Sequence, residues 1–289
     1  MRGLSQLVEE CRSAQFVCSE ALRSDEFKAI VARFSTTDVG FSRPPLSETR
    51  KCFDTIAARK NAADYKPPKF TSADHVLERF TVNSRDVEIA SLSPSPEDRL
   101  NALEAFAEYF VPIDKPATGL SPIDQNHASV VVSVRIDQEH ILLGADLEQR
   151  SSPHSGWKAV VASSIRPQGL SGFFKVPHHG SSNGQSNEVW AKMLFPSAAA
   201  VVTPFMSSSL PRPEGLDWLK GKTSELYVTG LPTGSRIRRR AEVERTIKES
   251  TQNYSVQRAP LDPGVVRFRK SAGAAGSWKV ETFGDAERL

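Results

Sequence analysis

Phe173-Phe174-Lys175-Val176-Pro177-His178-His179-Gly180-Ser181-Ser182 carries most of what this sequence says about its fold. An apolar run of strand character delivers two adjacent histidines into a turn of glycine and serine. Gly180 lets a backbone or a ligand approach closely. Histidine is a common nitrogen ligand for zinc, so two imidazoles at a strand mouth point to metal or substrate chemistry. Successive strand residues face opposite ways, so one imidazole would face a metal and the other would support it or contact substrate. The competing reading is a purely structural pair. Upstream, Ile141-Leu142-Leu143-Gly144-Ala145-Asp146 repeats the design: an apolar strand ends in small residues and then presents a carboxylate. Strand ends suit sites because the sheet fixes direction while the loop stays open. A simple turn aspartate is the alternative.

Working outward, Val130–Ile136 and Ile141–Leu143 read as strands joined at Asp137-Gln138-Glu139. Helical periodicity follows at Trp157–Ile165, then a strand at Phe173–Val176, a helix at Glu188–Leu194 and a strand at Ala199–Thr203. A helix at Glu214–Lys220 and a strand at Leu226–Thr229 continue the alternation, which argues for a layered α/β architecture. Two late strands, Val265–Arg269 and Trp278–Thr282, flank a turn rich in glycine and alanine.

The first third mixes short elements. Leu4, Leu7, Val8 and Cys11 recur at helix spacing, and Phe16-Val17-Cys18 reads as a short strand. Ser19 is placed to cap a helix carrying Leu22, Phe27, Ile30, Val31 and Phe34. Residues 36–46 read as loop, and a second amphipathic segment runs from Ser47 to Asn61 before the break at Lys66-Pro67-Pro68-Lys69. Phe80-Thr81-Val82 and Val87-Glu88-Ile89 read as strands. Ser95 then Pro96 mark a helix start, with Leu100, Leu103, Phe106 and Phe110 along the helix. The same helix N-terminus offers backbone N–H groups to a phosphate, against simple capping.

Composition bounds the classes. The chain has 289 residues, 39% hydrophobic and 25% charged, which excludes wholesale disorder and leaves ample length for a core. Net charge is +3, which permits a polyanionic partner without requiring one. No apolar run approaches the ~18 residues of a membrane span, and no signal peptide is visible at Met1. Cys11, Cys18 and Cys52 have no metal-ligand spacing, and their odd number suits reduced thiols in a cytoplasmic protein. His140 and His154 read as surface or loop residues. His127 stands beside Asn126, near the second motif. Arg236-Ile237-Arg238-Arg239-Arg240 opens a basic stretch that reads as a nucleic-acid contact or as a solvated helix face.

The order of Asn126-His127-Ala128-Ser129, Leu143-Gly144-Ala145-Asp146 and Lys175-Val176-Pro177-His178-His179-Gly180-Ser181 resembles the metallo-β-lactamase fold superfamily. It is most similar to the branch that includes the hydrolase domain of DNA-uptake competence proteins. The resemblance covers about residues 120–235. It implies an αββα sandwich formed as a single domain over residues 1–289, with a dinuclear site of zinc or manganese. Asp146 would be the bridging carboxylate and His178 the terminal histidine ligand, with His179 as the other candidate. Ser181 would line the substrate side, and Asn126 and Ser129 would sit close by. The implied chemistry is metal-assisted hydrolysis of a phosphodiester or related ester by a bound water that loses its proton near neutral pH.

The superfamily's principal ligand motif, His-x-His-x-Asp-His, does not occur in the sequence. Met1-Arg2-Gly3-Leu4 looks like the point where that motif passes into the following helix. The expectation is therefore a sandwich incomplete at its N-terminus, either a fragment or a natural member that dropped catalysis. Asp146 and one histidine fall short of the three protein ligands of a catalytic zinc. Metal binding should be weak or absent, and exposed sheet edges should call for a protein partner or an oligomer. The readings carried forward are a crippled hydrolase, a non-catalytic binding or scaffold member of the same fold, and a nucleic-acid-binding module using Arg236–Arg240.

Overall fold

The computed structural model describes residues 3–34, 44–107, 125–205, 208–230, 264–271 and 278–289, with residues 242, 245, 246 and 249. The chain divides into two compact units, Met1–Leu170 and Ser171–Leu289. Both mix helices and strands, so the protein is of the α/β class.

In the first unit, helices α1 (Leu4–Glu10), α2 (Asp25–Phe34) and α3 (Pro44–Ala58) accompany a small parallel pair, β1 (Val17–Ser19) and β2 (Lys69–Thr71). The capping residue differs from the sequence reading. Ser19 precedes only a short 3-10 turn, Glu20–Arg23, while the Ser24 hydroxyl accepts from the Phe27 amide at 3.2 Å and caps α2. Helix α3 starts at Pro44, earlier than expected, because proline is well suited to a first helical turn. Phe27, Ile30 and Val31 of α2 pack with Ala102 and Phe106 of α4 (Pro96–Ala107). Leu100, which the sequence places along that helix, is instead exposed. Phe110 lies outside the described residues, as do residues 36–43 of the expected loop.

An antiparallel set follows: β3 (His75–Val82), β4 (Arg85–Ser91), β5 (Val132–Ile136) and β6 (Glu139–Leu143), each paired with the next. The β5–β6 connection is tight because Asp137 adopts φ 52. Its carboxylate accepts from the Asp86 amide at 2.9 Å and pairs with Arg85 at 2.6 Å. Helix α5 (Gly156–Ala162) closes the unit, with Trp157 fully buried and its indole N–H donating to the Leu147 carbonyl at 2.9 Å.

The second unit holds β7 (Ser171–Lys175), α6 (Asn187–Lys192), β8 (Leu194–Val202), α7 (Pro213–Lys220) and β9 (Leu226–Val228). Strands β7, β8 and β9 are parallel neighbours. The second half of β8, Ala198–Val202, is buried throughout, as expected where a parallel strand is covered on both faces. The hairpin of β10 (Val265–Arg269) and β11 (Lys279–Phe283) presents Phe268 to Phe173, with ring centroids 4.7 Å apart, and the short β12 (Glu287–Arg288) pairs with β9.

Candidate functional site

Each chemical motif grows from the end of a strand. In the first unit β6 ends at Leu143, and Gly144 to Leu147 form a turn in which the Leu147 amide bonds the Gly144 carbonyl. Ala145 takes φ 47, and Asp146 follows half-buried. Asn126, beside this region in the sequence reading, donates to Glu148 at 2.8 Å, and Glu148 also pairs with Arg150 at 3.0 Å. Ser129 contributes its carbonyl, which accepts from the Ser93 hydroxyl at 2.7 Å. Asp146, Asn126 and Ser129 all belong to the first unit, and the histidine pair belongs to the second.

The histidine pair departs from the strand alternation assumed for it. Strand β7 ends at Lys175, and Pro177–Gly180 form a 3-10 turn in which His178 (φ 43), His179 (φ 54) and Gly180 (φ 75) are all left-handed. A left-handed conformation is costly for residues with a Cβ and holds only where the surroundings enforce it. Gly180 is favoured by its positive φ, and Gly215 of α7 is required by close approach, since a Cβ there would stand 2.6 Å from the Gly180 carbonyl. His179 donates from Nδ1 to the Thr203 carbonyl at 2.7 Å and stacks on Phe205 at 4.9 Å. A carbonyl can only accept, so Nδ1 carries the proton and the neutral ring keeps its lone pair on Nε2. This is the orientation that a supporting carbonyl gives to a metal-binding or proton-accepting histidine. The tautomer of His179, one of the two candidates named from sequence, is thus defined by the Thr203 carbonyl. Ser181 closes the same turn through its amide to the His178 carbonyl, and its hydroxyl donates to Asn183 at 2.6 Å.

A second polar cluster was not anticipated as such. Asp98, at the third position of α4, is 1% exposed and accepts four hydrogen bonds. The donors are the Ser95 hydroxyl (2.7 Å), the Gly156 amide (2.9 Å), His127 Nδ1 (3.2 Å) and the Ser155 hydroxyl. Burial alone would raise its pKa. The bonds from His127, Ser155, Gly156 and Ser95 outweigh burial and hold the carboxyl at about 2. Ser155 bonds Asp98 directly rather than His127, so the serine–histidine–carboxylate order of a nucleophilic relay is not formed. A carboxylate this acidic is also a poor general base at neutral pH. The cluster instead joins the N-termini of α4 and α5 to the 3-10 turn at Gln125–Ala128. The sequence signal was there: Ser95-x-x-Asp98 is a capping-box pattern whose carboxylate here turns to other elements. The Ser95 end of the cluster settles the helix-terminus question in favour of capping, with the Asp98 amide donating to the Ser95 hydroxyl at 3.0 Å.

His140 also differs from its expected surface position: it lies on β6 and is 8% exposed. Burial, then Arg135, lowers its pKa. His154 is exposed, as expected. The cysteines are free thiols. Burial pushes Cys18 up to about 12, which keeps it from acting as a thiolate at neutral pH. Residues Arg236–Arg240 lie outside the described residues.

No family model, no curated protein and no solved structure matches this chain. Among the described residues no group of three or more histidine, cysteine, aspartate or glutamate side chains could hold a metal ion. Asp146 and one of the two histidines, the ligand positions that the resemblance implies, are two donors, and a catalytic zinc takes three. Among the described residues, no helix is long and apolar enough to cross a membrane.

Proposed function

We propose that this chain is a metallo-β-lactamase-like sandwich of the phosphodiester-directed branch in which hydrolysis is crippled. On the resemblance, Asp146 of the first unit and, separately, a histidine of the Pro177–Gly180 turn correspond to ligand positions of that fold, short of a full donor set. The observation that carries this reading is the left-handed turn in which His179 Nδ1 bonds the Thr203 carbonyl and Phe205 stacks on the ring. A histidine held in one tautomer at a strand mouth is more than packing requires. The absence of the superfamily's His-x-His-x-Asp-His motif from the sequence is the ground for the crippled state and, as a second reading, for a non-catalytic binding or scaffold member of the same fold.

Zinc and manganese titrations of the full chain by calorimetry, run beside turnover of bis(4-nitrophenyl) phosphate, test the proposal. Weak metal binding is expected, reduced several-fold further by Asp146→Ala and by His179→Ala, with turnover at the background rate. Tight stoichiometric metal with turnover would show a complete centre and overturn the crippled reading. Metal binding unchanged in Asp146→Ala, His178→Ala and His179→Ala would remove the ligand assignment and leave the scaffold reading.

A further inference from the structure

A site unrelated to the histidine turn lies in the first unit, where α1 faces α3. Helix α1 has an apolar stripe at helix spacing, Leu4, Leu7 and Val8, yet none of its residues is buried, and Leu7 is 56% exposed. What holds the helix is polar and sits at its two ends. At the N-terminus Glu48 of α3 accepts from the Gly3 amide (3.0 Å), the Ser5 amide (2.8 Å) and the Ser5 hydroxyl (2.9 Å). At the C-terminus the Arg59 guanidinium donates to the Val8 and Glu9 carbonyls at 2.7 and 2.8 Å. Between these clamps the stripe stands over a cavity of about 340 Å³ that is also lined by Phe16 and Ile56.

The charged lining is uneven. Arg12, Arg59 and Lys66 face a single carboxylate, Asp64. Arg59 donates to the last carbonyls of α1, and Lys66 donates to the Ser13 carbonyl and also lies in the field of Glu78, so both are partly engaged and Arg12 is the cation left for a ligand. The Arg12 guanidinium has no hydrogen bond or ion pair among the described residues. An apolar chamber under a cationic rim is complementary to one kind of small molecule, an apolar chain ending in an anion. At ~30 Å³ per water-sized group the chamber takes roughly ten heavy atoms. We propose that this cavity binds a medium-chain carboxylate, its chain along Leu4, Leu7, Val8, Phe16 and Ile56 and its head group at Arg12.

Calorimetry of the full chain with octanoate and with 1-octanol tests this. Octanoate should bind saturably at one site, more weakly as salt rises, and more tightly than 1-octanol. Arg12→Glu should weaken octanoate at least tenfold and leave 1-octanol unchanged. Leu7→Trp, at an exposed position, should fill the chamber and abolish both. Absence of saturable binding, equal affinity for the two ligands, or octanoate binding that survives Leu7→Trp would each overturn the proposal. Circular dichroism melts of the variants verify that they are folded, and Arg12→Glu changes only an exposed charge.

Discussion

At Asp98 one carboxylate gathers donors from as far as 58 residues along the chain. Its removal therefore costs more than one hydrogen bond. Asp98→Ala should destabilise the first unit by about 3 kcal/mol, because buried donors from Ser95, His127, Ser155 and Gly156 lose their acceptor together. Urea denaturation at pH 7 measures it, and a loss under about 1 kcal/mol would show that the cluster is not cooperative. Gly156, which donates to Asp98, is bound by its own geometry. It has φ +60, and a Cβ there would stand 2.1 Å from the Glu148 carbonyl. Gly156→Ala should therefore cost more than about 2 kcal/mol, from backbone strain together with displaced backbone. Gly172→Ala is the control, since the nearest atom to its Cβ would be the Trp278 indole nitrogen at an ordinary 3.6 Å. A melting temperature for Gly156→Ala no lower than for Gly172→Ala would refute the assignment.

At the level of elements, the first helices show how sequence and structure part. Ser19 and Ser24 both precede helical turns, and residue type cannot tell them apart. The structure does: Ser24 caps α2, and the Ser19 hydroxyl is buried without a hydrogen-bond partner among the described residues. Ser24→Ala should cost about 1 kcal/mol, whereas Ser19→Ala should be neutral or stabilising because it removes an unsatisfied buried hydroxyl. The reverse order in thermal melts would restore the sequence reading. Elements governed by local chemistry were legible from the residues. Ser95-Pro96 starts α4, Asp137 turns β5 into β6, and the alternation from Ser171 to Val228 places β7, β8 and β9. What was not legible depends on partners far along the chain. The histidine pair occupies a left-handed turn whose Gly180 carbonyl abuts Gly215 of α7, and His179 is oriented by the carbonyl of Thr203, just past β8. Period-two alternation stops at Lys175 and had no information about either contact.

Over the whole molecule, two buried groups of the first unit contribute to the acid side of stability. His140 is buried on β6 against Gly169, where a Cβ would come within 2.6 Å of Nε2. Burial first, and Arg135 second, hold its pKa below the ordinary 6.5, with Glu139 and Glu88 pulling the other way. Below 6.5 the unfolded chain takes up this proton and the folded chain does not. The stability is thus intact above that pH and declines as pH falls toward the lowered folded value. Asp98 acts later. Its carboxyl titrates near 3.8 when unfolded and at about 2 when folded, so its contribution, about 2 kcal/mol, is intact above 3.8 and lost between the two values. Urea midpoints followed from pH 8 to pH 2 should therefore decline in two stages, one beginning near 6.5 and one below 4. His140→Gln should flatten the first stage and leave the second, and Asp98→Asn should do the converse. Because the Asp98 carboxyl must be deprotonated to accept on both oxygens, from His127 and Ser155 on Oδ1 and from Ser95 and Gly156 on Oδ2, the second stage should loosen the N-termini of α4 and α5 together. Two stages that persist in both variants would transfer the acid sensitivity to other carboxylates, such as Asp137, whose pKa Arg85 lowers.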